Sequence, residues 1–217
     1  MRYDLIVFDW DGTLMDSTGV IASSIQAACA DLGLPIPDDN TARHVIGLGL
    51  EQALQHAVPD MPAAMRPALV ERYRHYFLAQ DTRIPLYPGA RELVLALHAQ
   101  GYQLAIATGK SRAGLQRVLD AAGLSPYFHA IRTSDQTFSK PHPAMLLEIM
   151  EELGVAAERT LMIGDTSHDV LMAQNAGVDV VAIGHGAHPA EALQALNPLA
   201  LVDDLPAFKT WLAMELS

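Results

Sequence analysis

Two carboxylates, Asp9 and Asp11, stand one residue apart at the end of the apolar run Leu5-Ile6-Val7-Phe8, and Gly12 and Thr13 follow them. A short apolar run of this kind reads as a strand buried on both faces. The C-terminal ends of such strands are where open α/β sheets bind ligands. Asp9 and Asp11 would therefore present acidic oxygens to a ligand. Gly12 would let the backbone come close to it, and Thr13 would add a hydroxyl and a backbone N–H. Three further stretches carry polar groups in comparable places. Thr108-Gly109-Lys110-Ser111 follows an apolar run ending at Ala107, Gly164-Asp165-Thr166-Ser167-His168-Asp169 follows one ending at Ile163, and Ser139-Lys140-Pro141-His142-Pro143 opens a helical pattern. Taken singly, each is equally a turn, a helix cap or a surface lysine. The stretch 108–111 lacks the earlier glycine of a P-loop. His142 and His168 have no second His or Cys at metal-ligand spacing. Taken together, the stretches supply two acidic pairs, a hydroxyl and an ammonium, in an order that can converge at one sheet edge. Lysine usage points the same way. Lys110, Lys140 and Lys209 are the only lysines of the chain, and two of them lie in these stretches. A compact ammonium there differs in kind from the arginines used elsewhere.

The elements that must position these groups alternate. Strand patterns cover about 5–8, 103–107, 129–132, 160–163, 178–183 and 200–202. Helical patterns cover about 90–100, 111–122, 142–153, 168–176, 189–196 and 205–214. Alternation of this kind predicts an α/β fold, a doubly wound, Rossmann-like parallel sheet covered on both faces. No strand pattern occurs between 16 and about 81. Helical patterns occupy about 17–32, 39–46, 51–57 and 67–80 instead, and Pro85, Pro88 and Gly89 mark the return. The expected organisation is an α/β core of 1–15 and 88–217 with an α-helical insertion of 16–87.

Half of the 217 residues are apolar, enough to bury a core without disulfides, and the formal net charge is −11. That charge argues against a nucleic-acid partner or an anionic membrane surface. It leaves room for a small anionic ligand in a locally positive site. A single cysteine, Cys29, allows no disulfide or Cys-based zinc site within one chain and fits a cytoplasmic location. No segment approaches the roughly 18 uninterrupted apolar residues of a membrane span. Asp4, Asp9 and Asp11 interrupt any signal-peptide pattern.

Asp9-Trp10-Asp11-Gly12-Thr13, Thr108, Lys140 and 164–169 match, in order, the four motifs of the haloacid dehalogenase-like hydrolase superfamily, which the sequence resembles over nearly its whole length. Within it the closest resemblance is to the phosphoglycolate phosphatase-like branch. The helical insertion looks like that family's small α-helical cap, with 45–54 similar to its cap segment. The resemblance implies phosphoryl transfer through an aspartyl-phosphate. Asp9 would be the nucleophile. Mg²⁺ would be held by the Asp9 carboxylate, the Asp11 backbone carbonyl and the Asp165 carboxylate, with Asp169 one helical turn on as a support. Asp11 would be the general acid and base, protonated when substrate binds. Thr108 would donate to phosphoryl oxygens and Lys140 would balance charge. Gly12, Thr13, Gly109 and Lys110 would line the phosphate cradle. Arg43, Gly47 and Gly49 of the cap would face the leaving group.

The resemblance also ranks the alternatives. Haloalkanoic acid dehalogenases do not use the second aspartate of the first motif, and Asp11 is present. Phosphonoacetaldehyde hydrolases use a cap lysine, and 16–87 contains none. A sugar phosphomutase of the β-phosphoglucomutase kind shares the same core, and a non-catalytic phospho-ligand sensor is the third class, against which the intact motifs speak. The expected partner is a small phosphorylated metabolite, with phosphoglycolate first, acted on by a monomer or homodimer.

Overall fold

The computed structural model describes residues 2–215. Strand β1 (Leu5–Phe8) is wholly buried and hydrogen-bonds in parallel on both edges, to β2 (Gln103–Thr108) and to β4 (Thr160–Gly164). With β3 (Ala130–Thr133), β5 (Asp179–Ile183) and β6 (Ala200–Val202), these form one parallel sheet of order β3-β2-β1-β4-β5-β6. The chain builds outward from β1 through β2 to β3, then crosses back to lay β4 on the other side of β1. That reversal is the switch point at which doubly wound sheets open a ligand crevice.

Both faces of the sheet are covered, which is why its central strands β1 and β4 are buried throughout rather than alternating. Ile6, Phe8, Leu104, Ile106, Leu161 and Ile163 point into one apolar cluster, together with helices α5 (Ala90–Ala99), α6 (Arg112–Ala122) and α10 (Leu205–Glu215). Leu5, Val7, Ala105, Ala107 and Met162 point the other way, into a cluster completed by α7 (Ala144–Leu153), α8 (Ser167–Ala176) and α9 (Ala190–Gln194).

Between β1 and α5 the chain is helical: α1 (Thr18–Asp31), α2 (Asp39–His44), α3 (Leu50–Ala57) and α4 (Arg66–Leu78). Helix α1 packs on α4 and α2, and α3 packs on α4. The outgoing and returning strands of this block pair with each other. Met15 and Leu86 form an antiparallel bridge, the Asp16 N–H donates to the Pro85 carbonyl at 3.0 Å, and the Tyr87 N–H donates to the Leu14 carbonyl at 2.9 Å. The apolar interior of the block (Ile25, Leu54, Leu69, Phe77) is continuous with the cluster on the β1 face.

Several boundaries differ from the sequence expectation. Helix α2 stops at His44 rather than at 46, and 45–49 turn toward the sheet end. Helix α7 begins at Ala144, because prolines at 141 and 143 delay it. Short 3₁₀ turns at Ala63–Met65 and Asp81–Arg83 have no periodic signature in the sequence. No helix of the described residues is long and apolar enough to cross a membrane.

Candidate active site

The Asp9 N–H donates to the Ile163 carbonyl at 2.9 Å, so the ladder of β1 continues one residue beyond the strand and holds Asp9 at the switch point. The chain then turns sharply. The Leu14 N–H donates to the Trp10 carbonyl at 3.0 Å and the Gly12 N–H to the Met15 carbonyl at 2.9 Å. Gly12 adopts φ +85°, and a Cβ there would stand 2.2 Å from an Asp165 carboxylate oxygen. Only glycine allows both the left-handed backbone and that close approach. Thr13 donates its hydroxyl to Asp165 Oδ1 at 2.7 Å, which ties the β1 turn to the end of β4.

Asp165 leaves β4 and is followed by a helix start. Thr166 is the N-cap of α8 and Asp169 its N3 residue. They form a capping box in which the Asp169 Oδ2 accepts from the Thr166 N–H at 3.0 Å and from its hydroxyl at 2.6 Å. Asp165 therefore lies outside the helix, and the two acids meet through this cap rather than by one-turn helical spacing. The stretch is a helix cap and an acidic site at once. A loop absent from the sequence expectation completes it. The Ala187 N–H donates to Asp165 Oδ2 at 2.7 Å, and the His188 N–H to the Asp165 carbonyl at 3.4 Å. Gly184-His185-Gly186-Ala187-His188 follows a buried strand end, the same signal that marked the other loops.

Asp9, Asp165 and Asp169 bring one carboxylate oxygen each within 4.8 Å of one another, all three buried. A single ammonium faces them. Lys140, fully buried, stands 2.8 Å from Asp9 Oδ1 and 2.6 Å from Asp169 Oδ1. Burial works to lower the Lys140 pKa, but the Asp169 and Asp9 charges outweigh it and hold it raised. Burial holds the Asp9 carboxyl well above the usual range. The Lys140 charge opposes that shift, and Asp169 and Asp165 add to it. Asp165 is pushed up to about 7, by burial first and by Asp169 second. Although Lys140 pairs with Asp9 by distance, neither Asp9 oxygen receives a well-directed hydrogen bond. Three buried carboxylates against one ammonium, two of their oxygens unsatisfied, form an oxygen donor set that could hold a divalent cation such as Mg²⁺.

The Asp11 carboxylate is not part of this group. It accepts from the Ser17 hydroxyl at 2.7 Å and from Lys110 Nζ at 3.0 and 3.2 Å. Ser17 sits at the N-cap of α1 yet caps nothing, because its hydroxyl is turned to Asp11. Thr108, fully buried at the end of β2, accepts from the Lys110 N–H at 3.2 Å and keeps its hydroxyl proton available. These groups floor a cleft of about 750 Å³ between the sheet end and the helical block, lined by Asp9, Asp11, Thr108, Gly109 and Lys110 below and by Ile21, Ile25, Val45, Gly47, Gly49, Tyr73 and Phe77 above. At Gly109 a Cβ would stand 2.4 Å from the Leu48 carbonyl, so a glycine is required for the two layers to meet. The Gly49 N–H donates to Ser139 Oγ at 2.8 Å across the same junction.

Of the residues expected to bind substrate, Gly47, Gly49, Gly109 and Lys110 line the cleft. Gly12 and Thr13 instead support Asp165. Arg43 does not reach the cleft. Its guanidinium pairs with Asp39 at 2.7 Å, one helical turn back, and donates to Thr18 at 3.0 Å. His168 has a role outside metal binding: together with His188 it meets the His44 carbonyl at the end of α2, at 2.9 and 3.0 Å.

The family model for haloacid dehalogenase-like hydrolases matches residues 6–183, from the first residue pairs of β1 to the end of β5. The chain belongs to that family. Among haloacid dehalogenase-like hydrolases it is phosphoglycolate phosphatase-like. It is 39% identical over 205 residues to "Probable phosphatase IndB" of Dickeya dadantii, covering 92% of this chain and 89% of the relative. It is 30% identical over 217 residues to the phosphoglycolate phosphatase of Nitrosococcus oceani, covering 97% and 96%. A crystal structure from Haemophilus somnus, described as a predicted phosphoglycolate phosphatase, superposes with a TM-score of 0.85 at 29% identity, covering 94% of this chain and 95% of the other.

Proposed function

We propose that this haloacid dehalogenase-like hydrolase is a Mg²⁺-dependent phosphatase that hydrolyses a small phosphomonoester through an aspartyl-phosphate on Asp9. The observation that carries this reading is the Asp9 carboxylate itself. It is buried, lacks a directed hydrogen bond on either oxygen, and lies on the floor of the cleft beside Lys140. Burial favours its protonated form, so a cation bound beside it would be needed to hold it as the attacking carboxylate.

Mg²⁺ bound by Asp9, Asp165 and the Asp11 carbonyl, with Asp169 in support, would supply positive charge where a carboxylate must approach a phosphate dianion. The chain does the rest. An Asp9 oxygen forms a bond to phosphorus as the bond from phosphorus to the ester oxygen breaks. The Thr108 hydroxyl and the backbone N–H groups of Trp10 and Asp11 donate to the phosphoryl oxygens, those of Asp9, Gly12 and Thr13 being held by the Ile163, Met15 and Trp10 carbonyls, and Lys140 balances charge on Asp9. Asp11 gives its proton to the departing alkoxide, then takes one from the water that attacks phosphorus and releases Asp9 and inorganic phosphate. For Asp11 to carry that proton its pair with Lys110 must open, and the entering phosphate is a competing anion for the same ammonium.

Phosphoglycolate, in the names of the relatives, is the first compound to test. The reading carries with it a small phosphorylated metabolite as partner, a cytoplasmic location, and a monomer or homodimer. The deciding experiment is a panel of phosphomonoesters assayed for phosphate release with and without Mg²⁺. Release that requires Mg²⁺ and vanishes in Asp9→Asn supports the reading. Release that persists in Asp9→Asn overturns the nucleophile, and absence of release from every ester overturns the activity.

A further inference from the structure

The cleft above Asp9 is larger than a two-carbon acid phosphate requires. Its volume of about 750 Å³ lies in the upper half of the range, roughly 300–1,000 Å³, that holds ligands of drug size. Its upper wall carries Glu51, Gln52 and Arg74 at the exposed edge and an apolar patch deeper in. Ile21 and Ile25 of α1, Val45 after α2, and Tyr73 and Phe77 of α4 make up that patch. Tyr73 and Phe77 stack with centroids 5.7 Å apart and planes 12° from parallel; Phe77 is buried and has Lys110 Nζ 4.5 Å from its centre, so Tyr73 is the more exposed of the two rings lining the cleft.

The lining cations are Lys110, Arg117 and Arg74. Lys110 is held by both oxygens of Asp11, and Arg117 is held by Asp81 through Nε at 3.0 Å. Arg74 is exposed on α4. The lining also includes four acids, Asp9, Asp11, Glu51 and Asp135. Once the entering phosphate has taken Lys110, a carboxylate two carbons away would find only Arg74, at the exposed edge of the cleft, among the lining cations of the described residues that are not paired with an acid. Burying an anion without a partner is costly, whereas an uncharged apolar group would displace water from the wall at a gain.

We infer that the leaving group of the substrate is an uncharged, ring-bearing alcohol whose flat face packs against Tyr73 and the aliphatic wall of α1. The inference rests on the phosphatase reading of the same site. It goes beyond that reading by ranking this class above phosphoglycolate.

The test compares 2-phenylethyl phosphate with phosphoglycolate and glycerol 3-phosphate. All three leave as ordinary alcohols, so intrinsic reactivity does not favour the ring compound as it would for an aryl phosphate. The expected result is a kcat/KM at least tenfold higher for 2-phenylethyl phosphate than for phosphoglycolate. Tyr73→Ala should lower the ratio of kcat/KM for 2-phenylethyl phosphate to that for glycerol 3-phosphate at least fivefold, and Tyr73→Phe should retain it. A parallel titration of Asp9→Asn with Mg²⁺ present, followed by calorimetry, should show the same order of affinities. Equal or better use of phosphoglycolate overturns the inference, the more so if Arg74→Ala raises its KM. If no phosphomonoester is turned over, the phosphatase reading fails by itself, and the order of affinities still decides what the cleft accepts.

Discussion

Lys110 Nζ lies 3.0 and 3.2 Å from the two carboxylate oxygens of Asp11 and 4.5 Å from the centre of the Phe77 ring. One ammonium thus joins an acid of the sheet end to an aromatic ring of the helical block. Both charged side chains are less than a tenth exposed, at 8% and 9%. The pair neutralises Asp11 while the cation–π contact draws the two layers together.

Lys110→Met keeps the length of the side chain against Phe77 but strands the Asp11 carboxylate. Breaking one side of a buried pair costs roughly 3 kcal/mol or more. Urea unfolding should show a lower midpoint at unchanged slope. Adding Asp11→Asn should recover about 1–3 kcal/mol of that loss, the coupling of two groups in direct contact. Strictly additive losses would mean that the pair contributes nothing.

Asp9→Asn separates activity from stability. It removes the attacking group, so phosphate release should fall roughly 10³-fold or more. It also removes one of three buried carboxylates that face the single Lys140 ammonium. Without Mg²⁺ the variant should be as stable as the wild type or more stable, because burial holds the Asp9 carboxyl above its usual range despite the opposing Lys140 charge. Thermal unfolding in a chelator checks this, and a large loss of stability would contradict the charge argument.

The pH dependence of the metal-free protein follows from Asp165, whose pKa burial and Asp169 push up to about 7. An acid with a folded-state pKa above its unfolded value binds extra protons when folded, here between about 4 and about 7. Stability is then greatest below that window and is lost as pH rises through it, with no further loss from this group above. Scanning calorimetry in chelator should show Tm declining from about pH 5 to about pH 8. Mg²⁺ binds the deprotonated carboxylates, so its stabilising effect should be larger at the upper end. A Tm that rises across this range in chelator would show that Asp165 is not protonated in the folded state.

Two glycines should fail in different ways. Gly12→Ala places a Cβ against Asp165 at a positive φ, which costs about 1–2 kcal/mol in backbone strain alone and displaces a metal-facing carboxylate. Mg²⁺ affinity measured by titration should fall with it. Gly109→Ala places a Cβ against the Leu48 carbonyl at an ordinary backbone conformation. It should separate the helical block from the sheet end, lowering kcat/KM while leaving Mg²⁺ affinity within a few-fold. Equal loss of Mg²⁺ affinity in both variants would contradict this division.

Much of this architecture is written locally. The apolar runs, their polar ends and the helical periods determine which segments become strands and helices, to within a residue or two for most of them. The same local signals mark Asp9, Asp11, Thr108, Lys140 and Asp165 as strand-end or helix-opening groups, because a strand buried on both faces can turn polar only where it leaves the sheet. Strand order is a different matter. β2, β4 and β5 are similarly apolar, and only their packing decides that β2 and β4 flank β1 and carry Thr108 and Asp165 to either side of Asp9. The partners of long side chains are likewise settled in three dimensions. Arg43 is turned away by Asp39 and Thr18, Lys110 is taken by Asp11, and the 184–188 loop closes over Asp165 from a strand two places away from β1. A residue's type fixes what it can bind. Its reach spans several ångströms and several candidate partners, and only the fold chooses among them.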